Sequence, residues 1–162
     1  CGAARPGHFR GVTTVVSKLL GIVRPHVAAF GAKDLQQVLV IKKMVRDLSI
    51  NTEIEVVPTV RESDGLAMSS RNGYLSHDDR ALAPLFSLTL EETAKRVAES
   101  GSDIETAIAE SKAILTEAGF IVDYLEARRT HDLSAASSLN QETAIFGAAF
   151  LGATRLIDNR IV

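Results

Sequence analysis

The sequence predicts an α/β protein: part of a parallel sheet with crossover helices, then a smaller α+β C-terminal domain. Three observations predict it. Helical and strand-like periodicities alternate over residues 1–60 at lengths that suit a helix, strand, helix, strand order. Residues 59–76 (TVRESDGLAMSSRNGYLS) lose all periodicity and gather Gly, Ser, Asn and charge, which marks a domain boundary near residue 60. Two more helical runs and a β-rich end follow, in a remainder of ordinary domain size.

Taken in order, Val12, Val15, Val16, Leu19, Leu20 and Val23 recur at helical spacing between Phe9 and Arg24, and Pro25 ends the run. His26 to Gly31 is a short apolar stretch closed by glycine, which suits a buried strand. Helical spacing resumes with Leu35, Val38, Leu39, Ile41, Val45 and Leu48. Glu53 to Val57 is β-rich and stops at Pro58. Beyond the aperiodic stretch, Ser76-His-Asp-Asp79 resembles a capping box, opening a helix to about Ala98 that Pro84 either joins or breaks. Ser102 or Asp103 opens the next helix, with Ile104, Ala107, Ile108, Ile114 and Leu115 in register, and Gly119 closes it. Ile121 to Glu126 alternates like a strand, and Thr143–Leu151 and Thr154–Asp158 complete the β-rich end.

Bulk properties narrow the function. The 162 residues are 46% hydrophobic and 23% charged, enough for a real core in one or two domains. A net charge of -2 and a pI near 6.1 give no general attraction to nucleic acid or an anionic membrane, so any phosphate binding is local. One cysteine, Cys1, excludes an internal disulfide and Cys-rich zinc sites, and points to a reducing compartment such as the cytoplasm; Cys1 itself reads as inert. No apolar run reaches the length of a membrane span, and the first residues lack the features of a secretory signal. A chain that opens on Cys just before a helix reads as part of a longer protein.

Two segments carry the chemistry, both expected past the carboxyl ends of parallel strands, where open α/β sheets bind ligands. Lys33-Asp34 sets a cation and a carboxylate at a helix start, a natural seat for phosphate and for ribose hydroxyls. The same residues also suit folding alone, because Asp34 and Gln37 fit the D-x-x-Q form of a capping box. Met68-Ser69-Ser70-Arg71 offers two hydroxyls, adjacent N–H groups and a guanidinium, suitable for gripping a polyphosphate. A solvated turn beside Asn72-Gly73 would use these residue types equally well. Neither segment has the glycine spacing of a P-loop or a dinucleotide fingerprint. His8, His26, His77 and His131 lack metal-ligand spacing, and the pairs Asp78-Asp79 and Glu91-Glu92 read as helix-surface charge.

Six blocks then occur in order: Arg5-Pro-Gly-His-Phe9; Phe30-Gly-Ala-Lys-Asp34 with Gln36-Gln37; Val57-Pro-Thr-Val-Arg-Glu62; Asp64-Gly-Leu-Ala-Met-Ser-Ser-Arg-Asn72; Val122-Asp-Tyr-Leu-Glu126; and Thr154-Arg-Leu-Ile-Asp-Asn159. Together they resemble the pantothenate synthetases, the pantoate:β-alanine ligases. The resemblance covers essentially the whole chain and favours the functional reading of both segments. It implies a cytoplasmic, usually homodimeric enzyme, with no nucleic-acid or membrane partner. Its Rossmann-like ATP domain is closed over by a smaller C-terminal domain. Residues 1–60 would be the second half of the ATP- and pantoate-binding domain and 61–162 the lid. Pantoate would react with ATP to give pantoyl adenylate and pyrophosphate, and β-alanine would displace AMP.

Carried over residue by residue, the resemblance puts Gly31, Ala32, Lys33 and Asp34 in the ATP site, with Lys33 on phosphate and Asp34 on ribose. Val60 receives adenine through its backbone, and Met68, Ser69, Ser70 and Arg71 match the phosphate-gripping loop. Gln37 hydrogen-bonds pantoate and Phe30 lines its apolar side. Lys33, Ser69 and Arg71, with Mg²⁺, carry the catalysis, and a mobile loop containing Gly65 limits hydrolysis of the intermediate. Departures are specific. Members of the family have an H-x-G-H segment that binds the triphosphate and an early glutamine that holds pantoate, and nothing in this sequence supplies either. Ala32 stands where an acidic residue is usual, and Leu35 where tyrosine is common. Two rivals stay open: a non-catalytic fragment that binds nucleotide, and a related nucleotidyltransferase with an alcohol phosphate as acceptor.

Overall fold

The first helix, α1, runs from His8 to Val23 and ends where Arg24 turns left-handed (φ 50°) and donates its N–H to the Leu20 carbonyl at 2.8 Å, one residue before Pro25. These positions come from a computed structural model that describes residues 5–100, 103–138 and 142–162. Cys1 and Ser102 lie outside the described residues. The chain divides into two compact units, Cys1–Pro58 and Thr59–Val162.

In the first unit, strand β1 (Val27–Gly31) pairs in parallel with β2 (Glu53–Val57), from Val27 opposite Glu53 to Gly31 opposite Val57. A 3-10 turn at Ala32–Asp34 and helix α2 (Leu35–Asp47) make the crossover. The core joins Leu20 of α1 to Ile41 and Met44 of α2, with Val12, Val16, Ala28, Phe30 and Ile54 packed against it. β1 is not the buried strand that its apolar run suggests. Its side chains alternate between exposed and half-buried, as do those of β2. Strand geometry sends successive side chains to opposite faces. Ala28, Phe30 and Ile54 meet the core cluster, while Val27, Glu53, Glu55 and Val57 point the other way and are exposed.

The second unit begins in the aperiodic stretch that reads as a long connection at a domain boundary, and that stretch is ordered by local structure. Arg61 and Ala67 pair as an antiparallel bridge around a turn at Gly65, and a 3-10 helix follows at Ser70–Tyr74. Helix α3 (His77–Leu82) has the expected cap, with the Ser76 hydroxyl accepting the Asp79 N–H at 3.1 Å. Pro84 starts a new helix, α4 (Pro84–Ser100), rather than continuing the first. A proline has no N–H to donate and is best tolerated in a helix's first turn.

Asp103 caps helix α5 (Ile104–Glu117) by accepting the N–H groups of Glu105 and Thr106. Gly119 (φ 97°) ends it, with Gly119 N–H on the Thr116 carbonyl and Phe120 N–H on Leu115, the paired bonds of a Schellman turn that needs a left-handed residue at this position. Ile114, in register by spacing, is 46% exposed. The inner stripe takes Ser111 instead, whose hydroxyl is matched by Thr93 of α4 at 2.6 Å and by the Ala107 carbonyl.

Strands β3 (Ile121–Arg129), β4 (Thr143–Leu151) and β5 (Thr154–Ile161) form an antiparallel sheet in that order. A register shift between Val122 and Tyr124 interrupts the β3–β4 ladder near its start. The core sets Phe86, Leu90 and Val97 of α4 and Leu115 of α5 against Leu125, Ile145 and Leu156 of the sheet. Among the described residues, no helix is long and apolar enough to cross a membrane.

Candidate functional site

In the first unit the two parallel strands end level with each other, and the chain leaves β1 through the 3-10 turn that carries Lys33 and Asp34. Gly31 is still extended (φ -72°, ψ 131°), so Ala32, Lys33 and Asp34 begin directly beyond the strand's carboxyl end. Lys33 is half-buried and Asp34 exposed. Asp34 occupies the N-cap position of α2 but makes no side-chain cap bond. Its backbone (φ -97°, ψ 50°) comes from a 3-10 turn rather than from the extended approach that aims a capping side chain at the first turn. The capping-box reading of Asp34 with Gln37 therefore fails.

Gln37, further along α2, lines an open hollow of about 510 Å³ together with Gly7 and with His8, Gly11, Val12, Val15 and Val16 of α1. An amide and an imidazole thus share a bed of valine side chains. Desolvation, and then the positive charge of Arg5, hold His8 below its ordinary value, with Asp34 acting in the opposite direction. Phe30 is not in this hollow; it packs against the Leu20, Ile41 and Met44 cluster. Spacing arguments did not bring His8 and the valine ridge together with Gln37. The available signal was the Arg-Pro-Gly-His-Phe block just before the helix.

In the second unit, Val60 is exposed and its carbonyl accepts the Met68 N–H at 3.0 Å. Met68, Ser70 and Arg71 are exposed and Ser69 half-buried. Ser69 caps the following 3-10 helix, its hydroxyl accepting the Arg71 N–H at 3.2 Å. The turn reading is thus correct for the local backbone, and the side chains of Met68, Ser70 and Arg71 remain outside the cap. Lys33, Asp34 and Gln37 belong to one compact unit, Val60 and Met68 to Arg71 to the other.

Side chains from outside the segment hold it in place. Asn72 donates to the Glu62 carboxylate at 2.7 Å and to the Ala67 carbonyl at 3.2 Å. Arg80 of α3 reaches Glu62 at 2.7 Å and Asp64 at 2.6 Å. These contacts keep Glu62 below the usual carboxylate range, first through Asn72 and then through Arg80, and Arg80 does the same for Asp64. Arg61 forks onto Asp158 of β5 at 2.8 and 3.0 Å. None of Arg61, Asn72, Arg80 or Asp158 is legible as a site residue from spacing, because each acts on a partner remote in sequence or on the backbone. Among the described residues, no three His, Cys, Asp or Glu side chains stand together to hold a metal ion.

A parallel strand, turn and helix that present an ammonium and a carboxylate past the strand's carboxyl end, followed by an α+β unit, place this chain among α/β proteins, whose open parallel sheets bind ligands at that end. The profile of the family described as pantoate-beta-alanine ligase matches residues 1–161, and the chain belongs to that family. It is 54% identical over 159 residues to the pantothenate synthetase of Shewanella sediminis (strain HAW-EB3), covering 98% of this chain and 56% of that protein. It is 52% identical to the one from Hahella chejuensis (strain KCTC 2396), with the same coverage. The crystal structure of the pantothenate synthetase of Thermus thermophilus superimposes with a TM-score of 0.90 at 42% identity, over 98% of this chain and 58% of that one. The pantoate-beta-alanine ligase of Francisella tularensis, complexed with beta-gamma ATP and beta-alanine, gives a TM-score of 0.72 at 35% identity, over 99% and 52%. The fold is therefore a partial Rossmann-like sheet followed by an α+β part. The chain spans about half the length of the curated relatives it matches.

Proposed function

We propose that this chain is the C-terminal portion of an ATP-dependent ligase that joins pantoate to β-alanine. The pantoate carboxylate attacks the α-phosphorus of ATP, giving pantoyl adenylate and pyrophosphate; the amine of β-alanine then attacks the acyl carbon and AMP leaves. The observation that carries the reading is the family match along residues 1–161. In support, the exposed Asp34 carboxylate has no capping duty.

The attacking group is the substrate's own carboxylate, so the protein's task is positioning and charge neutralisation rather than nucleophilic attack. In this reading Gly31 and Ala32 let the phosphates approach the turn, Lys33 neutralises them and Asp34 binds the ribose. Val60 meets adenine through its backbone. Met68, Ser69, Ser70 and Arg71 grip the phosphates, with Lys33, Ser69 and Arg71 holding the charge that grows on the departing pyrophosphate. Gln37 bonds pantoate, and the valines beside it suit the two methyl groups of that substrate better than Phe30 does, since Phe30 packs into the core. The described carboxylates provide no cage for Mg²⁺, so the ion would enter on the oxygens of ATP, as is usual for this metal. Residues 1–60 act as part of the ATP and pantoate domain and 61–162 as the lid, in a cytoplasmic homodimer.

The test is pyrophosphate release on adding ATP, Mg²⁺ and pantoate, with hydroxylamine present to trap the acyl adenylate as a hydroxamate. Release without hydroxamate would indicate a nucleotidyltransferase and refute the ligase. Coverage of about half of each relative favours a second reading, in which the chain alone binds nucleotide without turnover. That reading predicts activity only when the preceding segment of a relative is restored. A restored chain that still forms no adenylate would refute the ligase as well.

A further inference from the structure

We infer that Asp158, acting through Arg61, is a positioning residue that fixes the Met68 to Arg71 segment; its link to phosphate rests on the function proposed above. The Asp158 side chain is 0% exposed. It accepts from both terminal nitrogens of Arg61, from the Ser87 hydroxyl at 2.8 Å, from Arg160 at 3.1 Å and from the Asn159 N–H at 2.8 Å. A carboxylate is tolerated at such depth only when its charge and lone pairs are matched, as they are here. Ser87 binds Asp158 from α4, and Arg160 binds it from two residues along β5. Arg61 adds something different, because the same guanidinium also donates to the Gly65 carbonyl at 3.0 Å, at the far end of the turn.

One side chain therefore ties the turn to the central part of the second unit. Arg61 pairs with Ala67, Glu62 N–H bonds the Leu66 carbonyl, and Met68 N–H bonds Val60, so whatever holds Arg61 and Gly65 also sets where Met68 begins. Asn72 secures the other end of the segment through Glu62 and Ala67. The result is a backbone clamped at both ends with Met68, Ser70 and Arg71 exposed between the clamps. That is the arrangement a phosphate grip requires, since donors held in place before binding lose least on engaging a charged ligand. Asp158 touches no ligand in this scheme; it acts 97 positions away in sequence, through Arg61.

Amide hydrogen exchange of the 162-residue chain tests the positioning. In Asp158→Asn the amides of Glu62, Gly65 and Met68 should exchange at least ~10-fold faster, while those of the β4–β5 ladder change by less than ~2-fold. Arg61→Gln should reproduce the pattern with Asp158 still held by Ser87 and Arg160, so it decides the matter if Asp158→Asn folds poorly. No change at the three amides, or the same acceleration throughout the unit, would overturn the proposal. Titration with MgATP tests the link to phosphate. Arg71→Ala should weaken binding at least ~10-fold in the unmodified chain but no more than ~3-fold beside Asp158→Asn, because a displaced arginine has little left to lose. Equal weakening in both backgrounds would refute the link. An unmodified chain that fails to bind MgATP would refute the nucleotide reading alone, and the exchange pattern would still decide the positioning.

Discussion

Gly147 lies in β4 where the sheet meets α4, and a Cβ built there would stand 3.0 Å from Leu90 Cδ2, 3.0 Å from Phe86 Cζ and 3.1 Å from Leu90 Cδ1. Leu90 is 0% and Phe86 1% exposed, so neither can move without disturbing the core. Gly147→Ala should therefore destabilise the second unit. Overpacking of this kind costs about 1–3 kcal/mol, and the lower chain entropy of alanine in the unfolded state returns roughly 0.4–1, leaving about 0.6–2 kcal/mol when the low and high ends are paired. Leu90→Ala alone should cost about 2–5 kcal/mol through the cavity it opens. It also removes two of the three close approaches, so the double variant should be at least ~0.5 kcal/mol more stable than the two losses added together. The chain has no tryptophan and two tyrosines, Tyr74 and Tyr124, both in the second unit, so tyrosine fluorescence in urea follows that unit alone. A Gly147→Ala variant as stable as the parent, or a penalty unchanged beside Leu90→Ala, would refute the packing argument.

Lys33→Ala, in a chain extended to the length of its relatives, should slow adenylate formation by ~10²-fold or more, as removing a preorganised charge contact does; unchanged turnover in a stopped assay would remove Lys33 from its role. Gly119→Ala should lower stability by about 1–2 kcal/mol, because the left-handed backbone (φ 97°) is strained for any residue with a Cβ. Nothing lies within 4 Å of that Cβ, so a urea midpoint shift reports the backbone alone. The Arg80 clamp should respond to acid. Glu62 and Asp64, with ordinary values of 4.5 and 3.8, are both lowered in the folded chain, so what they contribute is present above those values and lost as pH falls below them. Exchange protection at Gly65, corrected for intrinsic rates, should hold from about pH 7 to about pH 5 and fall in more acid solution; Arg80→Ala should weaken that dependence without abolishing it, because Asn72 still holds Glu62, and a loss of protection above about pH 5 would contradict it.

Sequence patterns gave different returns in different places. The bounds of β2 and β4 follow directly from β-rich runs with sharp ends, and α1 and α5 from helical spacing stopped by Pro25 and Gly119. The capping motif worked at Ser76 and failed at Asp34. Both are short polar residues before a helix, but Ser76 enters in extended backbone and Asp34 out of a 3-10 turn, a difference of ψ that composition does not carry. The burial of β1 was misjudged because an apolar run states a preference for cover without saying on how many faces cover exists. Residues 59–76 lack periodicity because only an isolated bridge and one short 3-10 helix run through them. Their order comes from Arg61, Asn72 and Arg80 reaching the turn backbone and charged partners.

The amino-acid order alone determined the element types, the residues that punctuate them, the likeness to a ligase family and the two polar segments worth examining. These are local or near-local properties, set by side-chain period, by the fixed φ of proline and by the freedom of glycine. Only the tertiary structure decided that Asp34 does not cap its helix, that His8 and Gln37 share a hollow while Phe30 packs elsewhere, and that Asp158 holds Arg61. Those outcomes depend on where packed elements bring groups tens of residues apart, and the pairing of a buried charge is settled by that geometry rather than by any neighbour in sequence.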